Sequence, residues 1–195
     1  MVETNGRNFD LLTLGQVLLR LSPPDNERLS RGDTFVKQVG GAELNVAVGA
    51  ALLGLHTGVI SKLPAHDIGS FMKGKIRSFG VSDDFFMYDQ SPAARVGIYY
   101  YENGAYPRKP KVIYDRNHSS FFSLDIDEIP EEVYTASKCF HTTGITLALN
   151  EDIRETTIEM IKRFKAAGTL VSFDVNFRGN LWTGDQAREC IMRIL

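Results

Sequence analysis

The stretch GGAELNVAVGAALLGLHTGVISKL, residues 40–63, decides the fold class of this 195-residue chain. Two glycines precede an apolar, Ala-rich run at residues 42–53, which predicts a helix buried inside a domain because no polar face interrupts it. Gly54 ends that run, and residues 57–63 then predict a buried strand. A buried helix that leads directly into a buried strand indicates a parallel sheet whose strands are joined by helices.

The same alternation of strands and helices continues on both sides of this stretch. Residues 9–15 predict a first strand, and Asp67 is expected to cap a helix that ends near Gly80. Asn150 is expected to cap an amphipathic helix that ends at Gly168, with acidic residues in its first turn and basic residues in its last. The chain therefore predicts an α/β fold.

Strand-like segments without helices interrupt this alternation twice, at about residues 16–39 and 83–116. We interpret them as strands of a small appended sheet, or lid, inserted into one domain that spans residues 1–195. Because exposed sheet edges tend to be covered or paired, the lid is also a candidate surface for homo-oligomer formation. No strand follows the last predicted helix, residues 185–195, so we expect the C-terminal part of the fold to be missing from this chain.

Composition excludes several kinds of partner. The chain is 43% hydrophobic and 24% charged, with a formal net charge of −2, which is typical of a globular protein and offers no basic excess for nucleic acid or an anionic membrane. Cys139 and Cys190 lie far apart and form no metal-ligand spacing with histidines, so we predict no metal site. Without a leader-like or membrane-spanning apolar segment, we expect a cytoplasmic protein.

The first group of candidate site residues lies where the glycines meet the helix. Gly41 lets a ligand approach the backbone closely, the helix start offers free N–H donors, and Asn45 lies one turn further on. On pattern alone, a plain glycine turn before a core helix explains these residues equally well. The stretch is neither a P-loop nor a dinucleotide-binding glycine motif.

The second group consists of aromatic and basic residues of the predicted lid. In extended strands, Tyr99 lies on the opposite face from Tyr100, and Tyr114 shares a face with Arg116. Tyrosine hydroxyls and ring faces suit a sugar, and arginine suits a carboxylate. Cross-strand aromatic packing with an exposed charge is the alternative.

The third group follows the predicted strand at residues 169–174. Asp174, Asn176 and Arg178 alternate and would face one way if the chain stays extended. The carboxyl edge of a parallel sheet is where ligands bind in open α/β folds, although a polar strand end would carry the same residues.

In their order along the chain, these motifs resemble the ribokinase-like (PfkB) family of carbohydrate kinases. The resemblance covers essentially all 195 residues, and the Gly-Gly-Ala-Glu-x-Asn form and the segment Leu-Leu-Arg-Leu-Ser-Pro-Pro, residues 18–24, are most similar to the 2-keto-3-deoxygluconate kinase branch. It implies a three-layer α/β/α sandwich with a mostly parallel central sheet and a β-sheet lid. It also implies ATP and Mg²⁺ as cofactors and ATP-dependent phosphorylation of a sugar or sugar acid at a primary hydroxyl.

The resemblance assigns expected roles to individual residues. The residues expected to bind the substrate are Gly41, Asn45, Tyr99, Tyr114, Arg116, Ile145 and Arg178, with Arg116 on the carboxylate of a sugar acid. Asp174 and Asn176 are candidates for the phosphate or nucleotide side. Gln16 departs from the family, whose members often carry an acidic residue there.

The resemblance places the catalytic base, an aspartate in a Gly-Ala-Gly-Asp motif, beyond Leu195, and this chain contains no such motif. We therefore expect it to carry the sugar-binding half and to show little turnover alone. Fructose, ribose and related sugars are alternative substrates, and a non-catalytic sugar-binding or regulatory fragment is an alternative function. A nicotinamide oxidoreductase is disfavoured because Gly15-Gln16-Val17-Leu18 is not the glycine-rich turn it requires.

Overall fold

The computed structural model describes residues 6–195 and contains two β-sheets and six α-helices within that range. The strands are β1 (Phe9–Leu14), β2 (Leu18–Ser22), β3 (Val36–Gly40), β4 (Thr57–Pro64), β5 (Val81–Ser82), β6 (Phe86–Asp89), β7 (Gly97–Glu102), β8 (Lys111–Asp115), β9 (Ser137–Thr143) and β10 (Leu170–Asp174). The helices are α1 (Ala42–Leu52), α2 (Asp67–Arg77), α3 (Val133–Ala136), α4 (Gly144–Leu147), α5 (Glu151–Ala166) and α6 (Gly184–Met192).

The main sheet has six strands in the order β10-β9-β1-β4, with β5 and β6 both paired to β4. Each of these pairings is parallel. The carboxyl ends of β1, β9 and β10 therefore meet at one edge of the sheet, which is where open α/β folds bind their ligands.

Each face of the main sheet buries its own hydrophobic cluster. On one face, Leu12, Phe140 and Phe164 pack among residues of α3 to α6. On the other, Val59 and Met72 pack among residues of α1 and α2. Two helical layers thus enclose the sheet, which confirms the predicted three-layer α/β/α sandwich.

The small sheet has four strands in the order β3-β2-β7-β8. The β2–β7 pair is parallel, and the two outer pairs are antiparallel. Because β2 follows the end of β1 after only Gly15, Gln16 and Val17, the small sheet begins directly at the carboxyl edge of the main sheet.

One strand of the predicted lid belongs elsewhere. The strand at Phe86–Asp89 pairs in parallel with β4, so it extends the main sheet and not the small one. Its buried Phe86 packs with the α1 and α2 cluster, which explains this placement. The four strands of the small sheet lie within residues 18–40 and 97–115.

The predicted helix ends are partly confirmed. The side chain of Asn150 accepts a hydrogen bond from the N–H of Ile153 at 2.9 Å and caps α5, and Gly168 follows α5 with a φ of +72°. The prediction that Asp67 caps α2 was wrong, because His66 holds that position and accepts from the N–H of Ile68. Nor is α1 buried on all sides, since its Leu52 is 77% exposed.

Over residues 6–195, none of the helices combines the length and apolarity that crossing a membrane requires.

Asp10, near the start of β1, makes the stability of the fold depend on pH. Its carboxylate accepts hydrogen bonds from Lys138 on β9 at 2.7 Å and from the N–H of His56 at 2.9 Å. These bonds, the first of them foremost, hold the pKa of Asp10 below its usual 3.8. A lowered carboxyl pKa adds stability above the unfolded-state value, and that stability is lost as the pH falls through the folded-state value.

We expect Asp10→Asn to lower the free energy of unfolding near neutral pH by up to about 1 kcal/mol, because the pair is partly solvated. The difference in the free energy of unfolding between Asp10→Asn and wild type should shrink as the pH falls below 3.8, the usual pKa of an aspartate. Urea titrations at a series of pH values measure it, with the exposed Asp33→Asn as control. A difference that stays constant with pH would contradict this account.

Candidate functional site

A cavity of about 310 Å³ lies between the small sheet and the carboxyl edge of the main sheet. The small sheet, the start of α1, the β9–α4 junction and the segment after β10 contribute its walls. All seven residues predicted to bind substrate line it: Gly41, Asn45, Tyr99, Tyr114, Arg116, Ile145 and Arg178. Gly41 and Arg178, which are 137 positions apart in sequence, thus meet at one site.

A second cavity of about 210 Å³ adjoins the first. The two share Tyr114, Arg116, Ile145 and Arg178, and the second adds polar walls from Asn117 and Asn180. Two arginines therefore stand at the boundary between two neighbouring chambers. Such a boundary suits the transfer of an anionic group between two bound molecules.

The start of α1 forms the floor of the larger cavity. Gly41 is the N-cap of α1 with a φ of +156°, and a Cβ there would come within 2.8 Å of the carbonyl oxygen of Gln16. A glycine is therefore required at this position. Asn45 lies one turn later, is exposed and reaches the cavity, as predicted.

The tyrosines of the small sheet form one wall of the larger cavity. Tyr99 on β7 stands opposite Tyr114 on β8, with the ring centroids 6.0 Å apart. Burial raises the pKa of the Tyr99 hydroxyl, which therefore stays protonated and able to donate a hydrogen bond. Tyr100 points to the opposite face and contacts Phe35, as the strand alternation predicts.

Arg116 follows β8 and lines both cavities. Its Nε donates to the side-chain oxygen of Gln16 at 2.7 Å, and the amide nitrogen of Gln16 donates to Ser119 Oγ at 2.6 Å. Within residues 6–195, Arg116 forms no ion pair. Burial lowers the pKa of Arg116, while the charges of Tyr114 and Glu43 oppose that shift. A half-buried cation with only neutral hydrogen-bond partners is arranged to receive an anion.

The segment after β10 is not extended, contrary to the interpretation that three of its polar residues face one way. Asn176 has a φ of +34°, and its N–H donates to the side chain of Asp174 at 2.9 Å, so the chain turns there. Arg178 reaches both cavities, whereas Asp174 and Asn176 line neither. The turn explains this separation.

The sequence patterns assigned no role to several residues of the cavity, and they identified Gln16 only as a departure from the family. Gln16, Arg20 and Tyr101 line the cavity, with the guanidinium of Arg20 4.3 Å from the ring centroid of Tyr101. Strand alternation places Leu18, Arg20 and Ser22 on one face, and Tyr101 shares the face of Tyr99, so this signal was available. Glu43 also lines the cavity, although it is only 2% exposed.

For residues 6–195, the structure contains no group of three or more His, Cys, Asp or Glu side chains that could hold a metal ion. The cavity walls are instead rich in hydroxyl, amide and guanidinium groups. These groups bind hydroxylated and anionic ligands.

Comparison with protein families gives a match to the pfkB family of carbohydrate kinases over residues 8–195. The chain is 38% identical over 180 residues to a 2-dehydro-3-deoxygalactonokinase of Haloferax volcanii, an alignment that covers 92% of this chain and 56% of the relative. It thus spans about half the length of this curated relative.

Solved structures of sugar kinases share the fold. A 2-dehydro-3-deoxygluconokinase from Thermotoga maritima superimposes with a TM-score of 0.89 at 35% identity, covering 94% of this chain and 56% of that one. An uncharacterized sugar kinase from Pyrococcus horikoshii in complex with ATP superimposes with a TM-score of 0.78 at 27% identity, covering 94% of this chain and 58% of that one. The central sheet and the separate small sheet are those of the ribokinase-like fold.

Proposed function

The chain belongs to the pfkB family of carbohydrate kinases, and we propose that it forms the sugar-binding half of an enzyme that phosphorylates a sugar acid of the 2-keto-3-deoxygluconate type. In this proposal, the γ-phosphoryl group of ATP is transferred to a primary hydroxyl of the substrate. The names of the two similar kinases, a deoxygalactonokinase and a deoxygluconokinase, support this substrate class.

The observation that carries the proposal is the unpaired charge of Arg116. Its neutral partner Gln16 orients the guanidinium through one hydrogen bond at 2.7 Å. Burial lowers the pKa of Arg116, and the nearby carboxyl group of Glu43 opposes that shift without forming an ion pair with it among the described residues. A sugar carboxylate in the larger cavity would compensate the charge of Arg116 by bidentate pairing, which a neutral sugar cannot do. The same charge therefore favours a sugar acid over fructose or ribose.

The remaining cavity residues fit the neutral part of such a substrate. Gly41 and Asn45 offer a backbone cradle and an amide for the sugar hydroxyls. Tyr99 and Tyr114 cover the sugar with their rings and hydroxyls, and Ile145 supplies an apolar contact. We assign the small sheet the role of a lid that excludes water, which would otherwise accept the phosphoryl group.

Phosphoryl transfer depends mainly on positioning and on stabilising charge. Arg178 stands at the boundary of the two cavities, where it would neutralise charge on the group being transferred. Asp174 and Asn176 are proposed for the phosphate or nucleotide side, although they lie outside both cavities. The general base that takes the hydroxyl proton is proposed to lie outside this chain, which lacks a Gly-Ala-Gly-Asp motif.

ATP would supply the phosphoryl group, and Mg²⁺ is implied by the family. The described residues form no group of three or more potential metal ligands, and Mg²⁺ in kinase sites is usually held by one or two carboxylates together with the ATP phosphates, so these residues alone do not define where it would bind. We therefore assign no step of the reaction in this chain to the metal.

We propose that the enzyme works in the cytoplasm, where ATP is available and where the free thiols of Cys139 and Cys190 stay reduced.

The exposed β8 edge, including Val112 and Ile113, is a candidate homo-oligomer surface. Light scattering of the native gene product tests it, and a monomeric mass would remove that part of the proposal.

A substrate panel tests the proposed activity. The native gene product, with ATP and Mg²⁺, is given 2-keto-3-deoxygluconate, its galacto epimer, fructose and ribose, and phosphorus-31 NMR identifies the ester formed. We expect phosphorylation at a primary hydroxyl, with kcat/KM for a sugar acid at least about 100-fold above that for the neutral sugars. Sugar-acid binding without ADP formation would favour the non-catalytic alternative, and a preference for fructose or ribose would contradict the substrate class.

A further inference from the structure

The carboxyl group of Glu43 connects three segments of the cavity wall. Glu43 is the second residue of α1 and is only 2% exposed. Its Oε1 accepts two hydrogen bonds of 2.7 Å, one from the hydroxyl of Thr143 and one from the hydroxyl of Thr146. Both threonines are buried, at 1% exposure each.

The third segment is the end of β1. A Cβ built on Gly15 would collide with Oε2 of Glu43, so the carboxyl group lies directly against this glycine. The next residue is Gln16, which holds Arg116. One buried side chain therefore contacts the β1 end, the α1 start and the β9–α4 junction at once.

The hydrogen bonds form a chain that runs from the N–H of Ile145 through Thr143 to Glu43. The N–H of Ile145 donates to Thr143 Oγ1 at 3.1 Å, so the proton of that hydroxyl is free for Glu43. Thr143 also caps α4, the short helix that carries Ile145 and Thr146 into place. The carboxyl group of Glu43 thus links α1, which carries Asn45, to α4, which carries Ile145.

The hydroxyls of Thr143 and Thr146 require a hydrogen-bond acceptor at Oε1 of residue 43, and they do not require a full negative charge there. Burial raises the pKa of Glu43, and the hydrogen bonds from Thr143 and Thr146 oppose that shift. A glutamine keeps an acceptor oxygen of the same reach, whereas methionine keeps the shape and loses the acceptor. Losing it would leave two buried hydroxyls without a partner, which is costly.

We propose that Glu43 is a positioning residue: it fixes the start of α1 to the β9–α4 junction and thereby sets the sugar pocket that Asn45 and Ile145 line. The inference rests on the proposed sugar-kinase function. Glu43 acts through Thr143 and Thr146 and takes no part in the transfer itself.

Three variants of the native gene product test this role. Glu43→Met and Thr146→Val remove the acceptor or one donor, and Glu43→Gln keeps the network. Thr169→Val is the matched control, because its buried hydroxyl donates to two carbonyl oxygens at 3.2 Å each, those of Tyr134 and Ser137, away from the cavity. Steady-state kinetics are measured with sugar and with ATP, at a temperature where each variant is folded.

We expect Glu43→Met to raise KM for the sugar acid about tenfold or more, with KM for ATP changed less than about threefold. Thr146→Val should change KM in the same direction, and Glu43→Gln should stay within about threefold of wild type. Thr169→Val should lower the melting temperature without changing KM. If Glu43→Met and Thr146→Val lower only the melting temperature, as Thr169→Val does, the positioning role is overturned.

A ligand-free measurement separates this inference from the proposed function. In amide NMR spectra of the unliganded protein, the signal of Ile145 should shift in Glu43→Met and return close to its wild-type position in Glu43→Gln. If the wild-type enzyme phosphorylates no sugar acid but these shifts occur, the proposed substrate fails and the network stands. An unchanged Ile145 signal in Glu43→Met would overturn the network even in an active kinase.

Discussion

Arg116→Ala should reduce kcat/KM for a sugar acid by about 30-fold to 1000-fold, because the substrate carboxylate would lose its proposed bidentate partner in a partly buried site. For neutral sugars such as fructose, the loss should stay below about tenfold. Steady-state kinetics of the native gene product, with each sugar varied at saturating ATP, measure both ratios. The difference between them isolates the carboxylate from general damage to the pocket.

Arg95→Ala is the matched control for this prediction. Arg95 is close to the same strand, donates to Asp115 at 2.8 Å and lines none of the cavities that Arg116 lines. Its side-chain hydrogen-bond partners Asp115 and Asn117 line only the smaller of these two cavities, and Arg95 itself lines neither, so kcat/KM should change less than about threefold. Equal losses for acid and neutral sugars in Arg116→Ala would contradict the carboxylate role.

Glu128→Ala should lower the free energy of unfolding by about 3 kcal/mol or more, because it leaves a buried ammonium group without its counterion. Lys62 on β4 has a side chain only 9% exposed, and its Nζ donates to both carboxylate oxygens of Glu128 at 2.8 Å. Its remaining partner is the carbonyl oxygen of Ser123 at 2.9 Å. Urea denaturation measures the loss.

Lys62→Met should cost less than Glu128→Ala, since the Glu128 side chain is 37% exposed and its carboxylate can be hydrated. The double variant should be more stable than Glu128→Ala alone, because it no longer buries an unpaired charge. Glu128 also accepts a hydrogen bond from the N–H of Asp125 at 3.1 Å. This bond is lost both in Glu128→Ala and in the double variant, so it cancels in the double-mutant cycle, which therefore isolates the energy of the ion pair. Simple additivity of the two losses would contradict the account.

Periodicity and caps predicted the main architecture because they are local signals. Residues 42–53 and the helix after Asn150 show their helical period and boundaries within a few positions. Local signals do not say which sheet a short strand joins. The segment around Phe86 has the length and composition of either sheet, and only its packing against the α1 and α2 cluster decides its place.

The residues that line the cavity were largely predicted, but the contacts that support them were not. Alternation along strands is enough to orient Tyr99 and Tyr114, and both line the cavity. Gln16 and Arg116 are 100 positions apart, and no local sequence pattern predicts their hydrogen bond. Glu43 was missed for a different reason: the sequence of an apolar helix with a single acidic residue does not show that buried threonine hydroxyls will donate hydrogen bonds to that residue.

The turn after β10 shows where extended-strand reasoning fails. Alternation applied to Asp174, Asn176 and Arg178 assumes that the strand continues, but it ends at Asp174. Asparagine tolerates a positive φ better than most residues, and Asn176 adopts one. An asparagine two residues after an aspartate is a signal for a turn, which the sequence therefore contained.

The most direct test of the central claim is a crystal structure of the native gene product with bound 2-keto-3-deoxygluconate. We predict the sugar in the cavity of about 310 Å³, with its carboxylate on the guanidinium of Arg116 and its ring or chain beneath Tyr99. A sugar acid bound outside this cavity, or with its carboxylate turned away from Arg116, would contradict the account.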